Sequence, residues 1–160
     1  MPDFVNASTI FWIILLVSMV HVFEEYFGGF VKMMQEYGPM EGMTKNLFLT
    51  VNAVFILLCA LAAIINVSVP IYSLSIVALI FINSFIHIGA AIRVRGYAPG
   101  IITAVLLYMP ISAYTYLLYF QATLLDPIVF GLSFMLGAAW MGLAAGTGFI
   151  FSRRKKRRPK

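Results

Sequence analysis

The chain has 160 residues, of which 62% are hydrophobic and only 11% charged, and its formal net charge is +5. Soluble domains carry about 45–50% apolar and about 25% charged residues, so a water-soluble globule is excluded, because one core cannot hide this much apolar surface. No nucleic-acid-binding role is expected either, since no soluble domain accompanies the basic residues.

A bilayer core of about 30 Å needs about 20 helical residues at about 1.5 Å each. Five apolar runs meet that length, and they are apolar on all sides rather than alternating as barrel strands do. The expected fold is therefore all-α: an integral membrane bundle of about five transmembrane helices.

The first run is Thr9–Phe27. Asp3 is the only charged side chain before it, and no small-residue cleavage site closes it, so it reads as a retained helix rather than a signal peptide. The longest polar stretch follows, Gly28–Asn46, carrying Lys32, Glu36, Glu41 and Lys45 among Met, Phe and Tyr. Its composition suits either an amphipathic helix on the inner leaflet or an irregular loop. Asn46 is placed to cap the second helix, Leu47–Val67, which holds Asn52 near its inner end and the single cysteine, Cys59. One cysteine makes no internal disulfide.

The third run, Pro70–Ile92, contains Asn83 and His87 and is followed by Arg93, Arg95 and the turn Tyr97-Ala98-Pro99-Gly100. The fourth, Ile101–Phe120, is interrupted by Pro110, which predicts a kink and a freed carbonyl. Tyr114, Tyr116 and Tyr119 read as an interfacial belt at its outer end. The fifth, Ile128–Phe151, carries Ala138, Gly142 and Gly146 at four-residue spacing. Such small residues permit close helix approach, either within the chain or in a homodimer. The organisation is one transmembrane domain, 1–152, and a basic tail, 153–160, with no repeat of 20–50 residues.

The cations orient the bundle. Lys32 and Lys45 lie between helices one and two, Arg93 and Arg95 between three and four, and the remaining seven of the eleven in the tail. All fall on one side for five crossings. The positive-inside rule then puts the N-terminus outside and the C-terminus in the cytoplasm, in a multi-pass protein of the cell membrane. The tail reads first as a topology anchor, with attraction to anionic lipid head groups as the functional alternative.

Ionisable groups inside membrane helices are costly and mark function. Here they cluster. His21, Glu24 and Glu25 stand at i, i+3 and i+4 on helix one, and Asn83 and His87 at i, i+4 on helix three. Glu25 precedes Lys32 by about 10 Å of helix, and His87 precedes Arg93 by about 9 Å. Both helices run in the same direction, so the two sets share one depth in the inner half of the bilayer.

Three readings of the cluster stay open on these residues. In the first it holds a divalent metal, Zn or Fe, through His21, His87 and Glu24 or Glu25, with the other glutamate handling a proton and Asn83 orienting His87 or a water. In the second, a carboxylate pair with histidine does acid–base work without a metal. In the third, the groups are hydrogen bonds tying two helices together. Arg93 is a candidate for a phosphate head group or a glutamate partner, Tyr97 for closing the site from below, and Asn52 for lining the same cavity.

His21-Val22-Phe23-Glu24-Glu25 resembles the H-x-x-E-E motif of the HXXEE domain proteins, and Asn83…His87 and Tyr97-Ala98-Pro99-Gly100 resemble that family's N-x-x-x-H and Y-x-P-G motifs, in the same order. The resemblance implies His21, Glu24, Glu25, Asn83, His87, Tyr97, Pro99 and Gly100 as signature positions; it supplies no activity. The residue types are also similar to those of CAAX-protease-like intramembrane glutamate proteases, but no Arg closely follows Glu25, and the second motif runs Asn then His. The reading of the whole is an intramembrane enzyme, a metal-dependent hydrolase or isomerase acting on a membrane lipid or other apolar substrate in the cytoplasmic leaflet, with Glu24, Glu25 and Asn83 catalytic. The alternatives are a non-enzymatic lipid, proton or cation binder or transporter, and a structural membrane subunit.

Overall fold

The computed structural model describes residues 2–156, with side chains for residues 7–151. The helices are α1 (Pro2–Gly28), α2 (Phe30–Glu36), α3 (Lys45–Ile65), α4 (Pro70–Val94), α5 (Ile101–Thr103), α6 (Met109–Gln121) and α7 (Pro127–Lys156). A 3-10 turn, Asn66–Ser68, extends α3, and a π-helical turn, Ala104–Tyr108, joins α5 to α6 into one rod. Among the described residues there is no strand, and five helices are long and apolar enough to cross a membrane: Ala7–Gly28, Lys45–Ser68, Pro70–Val94, Ile101–Gln121 and Pro127–Phe151. These follow the five apolar runs to within a few residues. In lipid a helix satisfies its own backbone groups, so side-chain hydropathy alone marks where it runs.

α1 packs on α3, and α4 packs on α7 and α6. α4 is the most enclosed span and α7 the least. The core lies between α1, α3, α4 and α6, around Phe11, Ile14, Leu74, Ile76, Ile80 and Tyr119.

Local chemistry explains the breaks. Gly29, at φ 86°, ends α1 and turns the chain into α2. That seven-residue helix is followed by an irregular stretch, so the Gly28–Asn46 segment is part helix and part loop. The cap of α3 is Thr44, whose hydroxyl accepts from Leu47 N at 3.1 Å; Asn46, expected in that role, lies inside the first turn. Arg95, at φ 52°, closes α4 in the left-handed conformation.

Pro110 has its effect one turn earlier than the residue itself. It has no N–H to give to the carbonyl of Leu106, and the helix widens there into the π turn, with Met109 N–H reaching Ala104 O. Ser84 of α4 also donates to Ala104 O, at 3.2 Å.

Two expectations are corrected by packing. Of the three tyrosines, only Tyr114 lies on the surface, half exposed; Tyr116 donates to Leu74 O at 3.3 Å, and Tyr119 is fully buried against Phe11. The outer belt is thus largely core, because α6 turns that face inward. The glycine that brings α7 onto α4 is Gly137, where a Cβ would stand 2.6 Å from Ala78 Cβ and 2.7 Å from Ser75 O. A Cβ at Gly142 or Gly146 would meet nothing within 4 Å, so neither glycine is required for packing inside the chain. The side chains of the basic tail, 153–160, lie outside the described residues.

Candidate metal centre

One end of the bundle gathers the C-terminal turns of α1, the last third of α4, the start of α5 and the start of α3. His21 and Glu25 face α4 from α1, and there His87 meets them. The His21 and His87 rings stand edge to face with centroids 4.8 Å apart. Glu25 Oε1 lies 3.3 Å from His87 Nε2 and 3.8 Å from His21 Nε2. All three side chains are buried, with relative exposures of 2%, 2% and 6% for His21, His87 and Glu25. Their ligand atoms all fall within 4.8 Å of one another. The two motif faces that share a depth in the sequence therefore converge.

The two adjacent glutamates separate completely. Residues one apart on a helix point about 100° away from each other, so Glu24 faces the turn before α5 instead. Its Oε1 accepts from Tyr97 Oη at 3.1 Å, Gly100 N at 3.2 Å and Ile102 N at 3.1 Å, and its Oε2 from Thr103 N at 2.8 Å and Thr103 Oγ1 at 2.6 Å. A carboxylate is the form that accepts from all five. Glu24 thus satisfies the otherwise unpaired N–H groups at a helix start from outside that helix, where the partial positive charge favours an anion.

This contact has a consequence for His21. The single hydroxyl proton of Thr103 goes to Glu24, so the Thr103 oxygen accepts from His21 Nδ1, 2.7 Å away. His21 then carries its proton on Nδ1 and presents the Nε2 lone pair to the cluster. Asn83 Nδ2 donates to that lone pair at 3.1 Å. Asn83 therefore touches His21, whereas the sequence pairs it with His87. On His87, the approach to Glu25 places the proton on Nε2, and Nδ1 is buried without a hydrogen-bond partner among the described residues.

Gly100 is required here twice over. Its φ is 92°, and a Cβ would run into His87 Cε1, lie 2.8 Å from His87 Nδ1 and 3.0 Å from His21 Cε1. Gly28 is similar on the other side of the turn, since a Cβ there would lie 2.8 Å from Tyr97 Oη and 3.0 Å from Pro99 Cβ. The Y-x-P-G turn is thereby locked between α1 and the histidine rings. Tyr97 itself lies outside the spans; its phenol is held above the ordinary value of 10.0 by burial and by donation to Glu24.

A cavity of about 430 Å³ opens from the cluster. His21, Glu25, Asn83 and His87 form its polar end. Its walls are apolar and rich in methionine: Met33, Met34, Met40 and Met43 from α2 and the following loop, with Phe48 of α3 and Trp140 of α7. Asn52 also lines it, with its amide donating to Phe48 O at 3.1 Å. Phe30 approaches the His87 ring at 6.1 Å and covers the polar end. Arg93 and Tyr97 do not line the cavity; Arg93 is exposed in the last turn of α4.

Sequence reasoning missed Thr103, Gly28 and Tyr108, whose ring lies 4.4 Å from that of His21. The available signal for Thr103 was its place three residues after Gly100, in the first turn of a helix. No comparable signal marked Tyr108, one apolar-run tyrosine among several.

No curated protein and no solved structure gives a significant match to this chain. A family described as "Protein of unknown function with HXXEE motif" matches residues 12–115, a stretch that contains all three motifs and every residue of the cluster, and the chain belongs to that family.

Proposed function

We propose that His21, Glu25 and His87 hold a divalent metal, zinc or ferrous iron, and that the chain is a multi-pass enzyme of the cell membrane, of hydrolase or isomerase type, acting on a lipid or other apolar substrate in the cytoplasmic leaflet. The observation that carries this reading is the buried set of two imidazoles and one carboxylate with ligand atoms within 4.8 Å. The donor types fit zinc or iron. Tetrahedral zinc with arms of about 2.0–2.1 Å separates its donors by about 3.3 Å; Glu25 Oε1 stands 3.3 and 3.8 Å from the two Nε2 atoms, and the whole set lies within 4.8 Å, so loading would draw the ligand atoms closer together. Three protein ligands leave a coordination position for water or substrate.

A bound metal would polarise a carbonyl or lower the pKa of a water. The protein's own residues have separate tasks in this reading. Glu24 and Thr103 hold the His21 proton on Nδ1, as outer carboxylates do for metal-bound histidines. Glu25 contributes one oxygen as ligand and has a second to accept a proton. Asn83 occupies the His21 lone pair until it is displaced and then orients water or substrate. Holding a metal through Nε2 would require the His87 proton to move to Nδ1, the buried nitrogen that has no hydrogen-bond partner among the described residues.

A second reading has its own observation. The Asn83–His21 hydrogen bond and the His87–Glu25 contact pair both Nε2 atoms without a metal. The cluster would then serve as a buried acid–base pair.

Metal analysis of the detergent-purified protein by mass spectrometry separates the two. About one zinc or iron per chain is expected, lost in both His21→Ala and His87→Ala. Wild-type protein that stays metal-free after reconstitution would refute the metal reading and leave the acid–base one.

A further inference from the structure

The ionisable side chains that line the cavity are His21, Glu25 and His87, and all three are buried; the rest of its polar lining is the uncharged Asn83, Asn52, Thr50 and Thr147. His21, Glu25 and His87 are almost fully enclosed, whereas Val54 of α3, Ile86 of α4 and Leu143 of α7, which line the same cavity, are exposed on the outer surface of the bundle. Those helices have the length and composition to cross a membrane, so that surface meets acyl chains. A molecule arriving from the bilayer therefore enters with its polar head leading. The head must pass a largely apolar stretch, rich in methionine and phenylalanine and without a charged side chain, before it meets an ionisable group.

That order of surfaces selects the head. Moving an ionised group through an apolar passage costs far more than moving a hydroxyl or a carbonyl. No Lys or Arg among the described residues lines the cavity, so a phosphate has no counter-ion on the way, and Arg93 lies outside it. Size selects the tail. A volume of about 430 Å³ is in the range of small-molecule sites, and a two-chain phospholipid is several times larger. Methionine walls are flexible and adapt to a chain of irregular course.

We infer that the ligand of this site is a single-chain lipid with a neutral hydroxyl or carbonyl head, entering head first from the bilayer and placing that head against His21, Glu25 and His87. The inference deepens the enzymatic reading and names its substrate class.

The test uses the full chain in phosphatidylcholine vesicles with two probes of one chain length: a photoactivatable, alkyne-tagged hexadecanol and the matching hexadecyl phosphate. After irradiation, the labelled residues are mapped by peptide mass spectrometry. Hexadecanol should label the Met33–Met43 segment and the Val51–Phe55 turn, about tenfold more than the phosphate does, given the desolvation difference. Val51→Trp, which fills the cavity, should remove that labelling, and Leu57→Trp, on the exposed side of α3, should not. Should Val51→Trp fail to fold, competition by untagged hexadecanol reads the same site. Equal labelling by both probes, or hexadecanol labelling confined to the outer surface, would overturn the inference. Metal content measured on the same vesicles keeps the two claims apart: cavity labelling without metal sinks only the metal reading, and metal without cavity labelling sinks only this one.

Discussion

Thr103→Val is the substitution that most directly probes the link between Glu24 and His21. Valine keeps the shape of threonine and the Thr103 N–H bond to Glu24, but removes the hydroxyl that receives His21 Nδ1 at 2.7 Å and gives to Glu24 at 2.6 Å. Glu24 retains four of its five donors, so its helix-capping contact persists. His21 loses the hydrogen-bond partner of Nδ1, and stranding a buried donor costs about 1–3 kcal/mol. The ring is then free to exchange tautomers, and the Nε2 lone pair is no longer held toward Glu25 and His87. Removing such outer partners lowers metal affinity about 10–100-fold, or about 1.4–2.7 kcal/mol. The assay is zinc affinity against a competing chelator, together with nitrogen NMR of labelled histidine in the metal-free protein. Wild type should show the Nδ1-protonated form of His21, Thr103→Val a mixture, and Thr103→Ser a return to wild type on both measurements. A valine variant with unchanged tautomer and affinity would refute the hydrogen-bond argument. A serine variant as damaged as valine would assign the effect to packing.

Other positions carry predictions of different kinds. Gly100→Ala adds a Cβ against both imidazoles at a φ of 92°, so it should lower the melting temperature by the equivalent of about 1–3 kcal/mol. Thermal unfolding in detergent reads this directly, and an unchanged midpoint would contradict the close approach. Gly137→Leu should separate α7 from α4 and destabilise the bundle by about 1–3 kcal/mol, whereas Gly142→Ala meets open space and should be neutral or gain about 0.5–1 kcal/mol of helix preference; equal outcomes for the two would contradict the packing described. The Tyr97 phenol is raised above 10.0, so the contribution of its bond to Glu24 is complete below pH 10 and is lost as pH rises through the elevated value. Tyr97→Phe should therefore lie below wild type at neutral pH and converge with it in strongly alkaline solution, as read from melting temperatures across that range.

Features set by position along a single helix were legible in the residues alone. Five spans follow from runs of apolar residues, because in lipid each helix closes its own hydrogen bonds and needs no neighbour to define its length. The pairing of His21 with Glu25 and the shared depth with His87 follow from a fixed rise and turn per residue. The tertiary structure decided which neighbour each face meets. Glu24 and Glu25 are chemically identical and adjacent, and their division into a helix cap and a histidine partner depends on where α4 and the Y-x-P-G turn happen to lie. The same holds for Asn83, which shares a helix face with His87 but bonds His21 across the interface. Tyr116 and Tyr119, aromatic residues at a helix end, went into the core for the face they present rather than for their type. Thr103 joins the site because a glycine with positive φ starts its helix directly beneath the imidazoles. Periodicity is a local property of the chain; contact between helices is set by side-chain shape at close range, and no one segment encodes it.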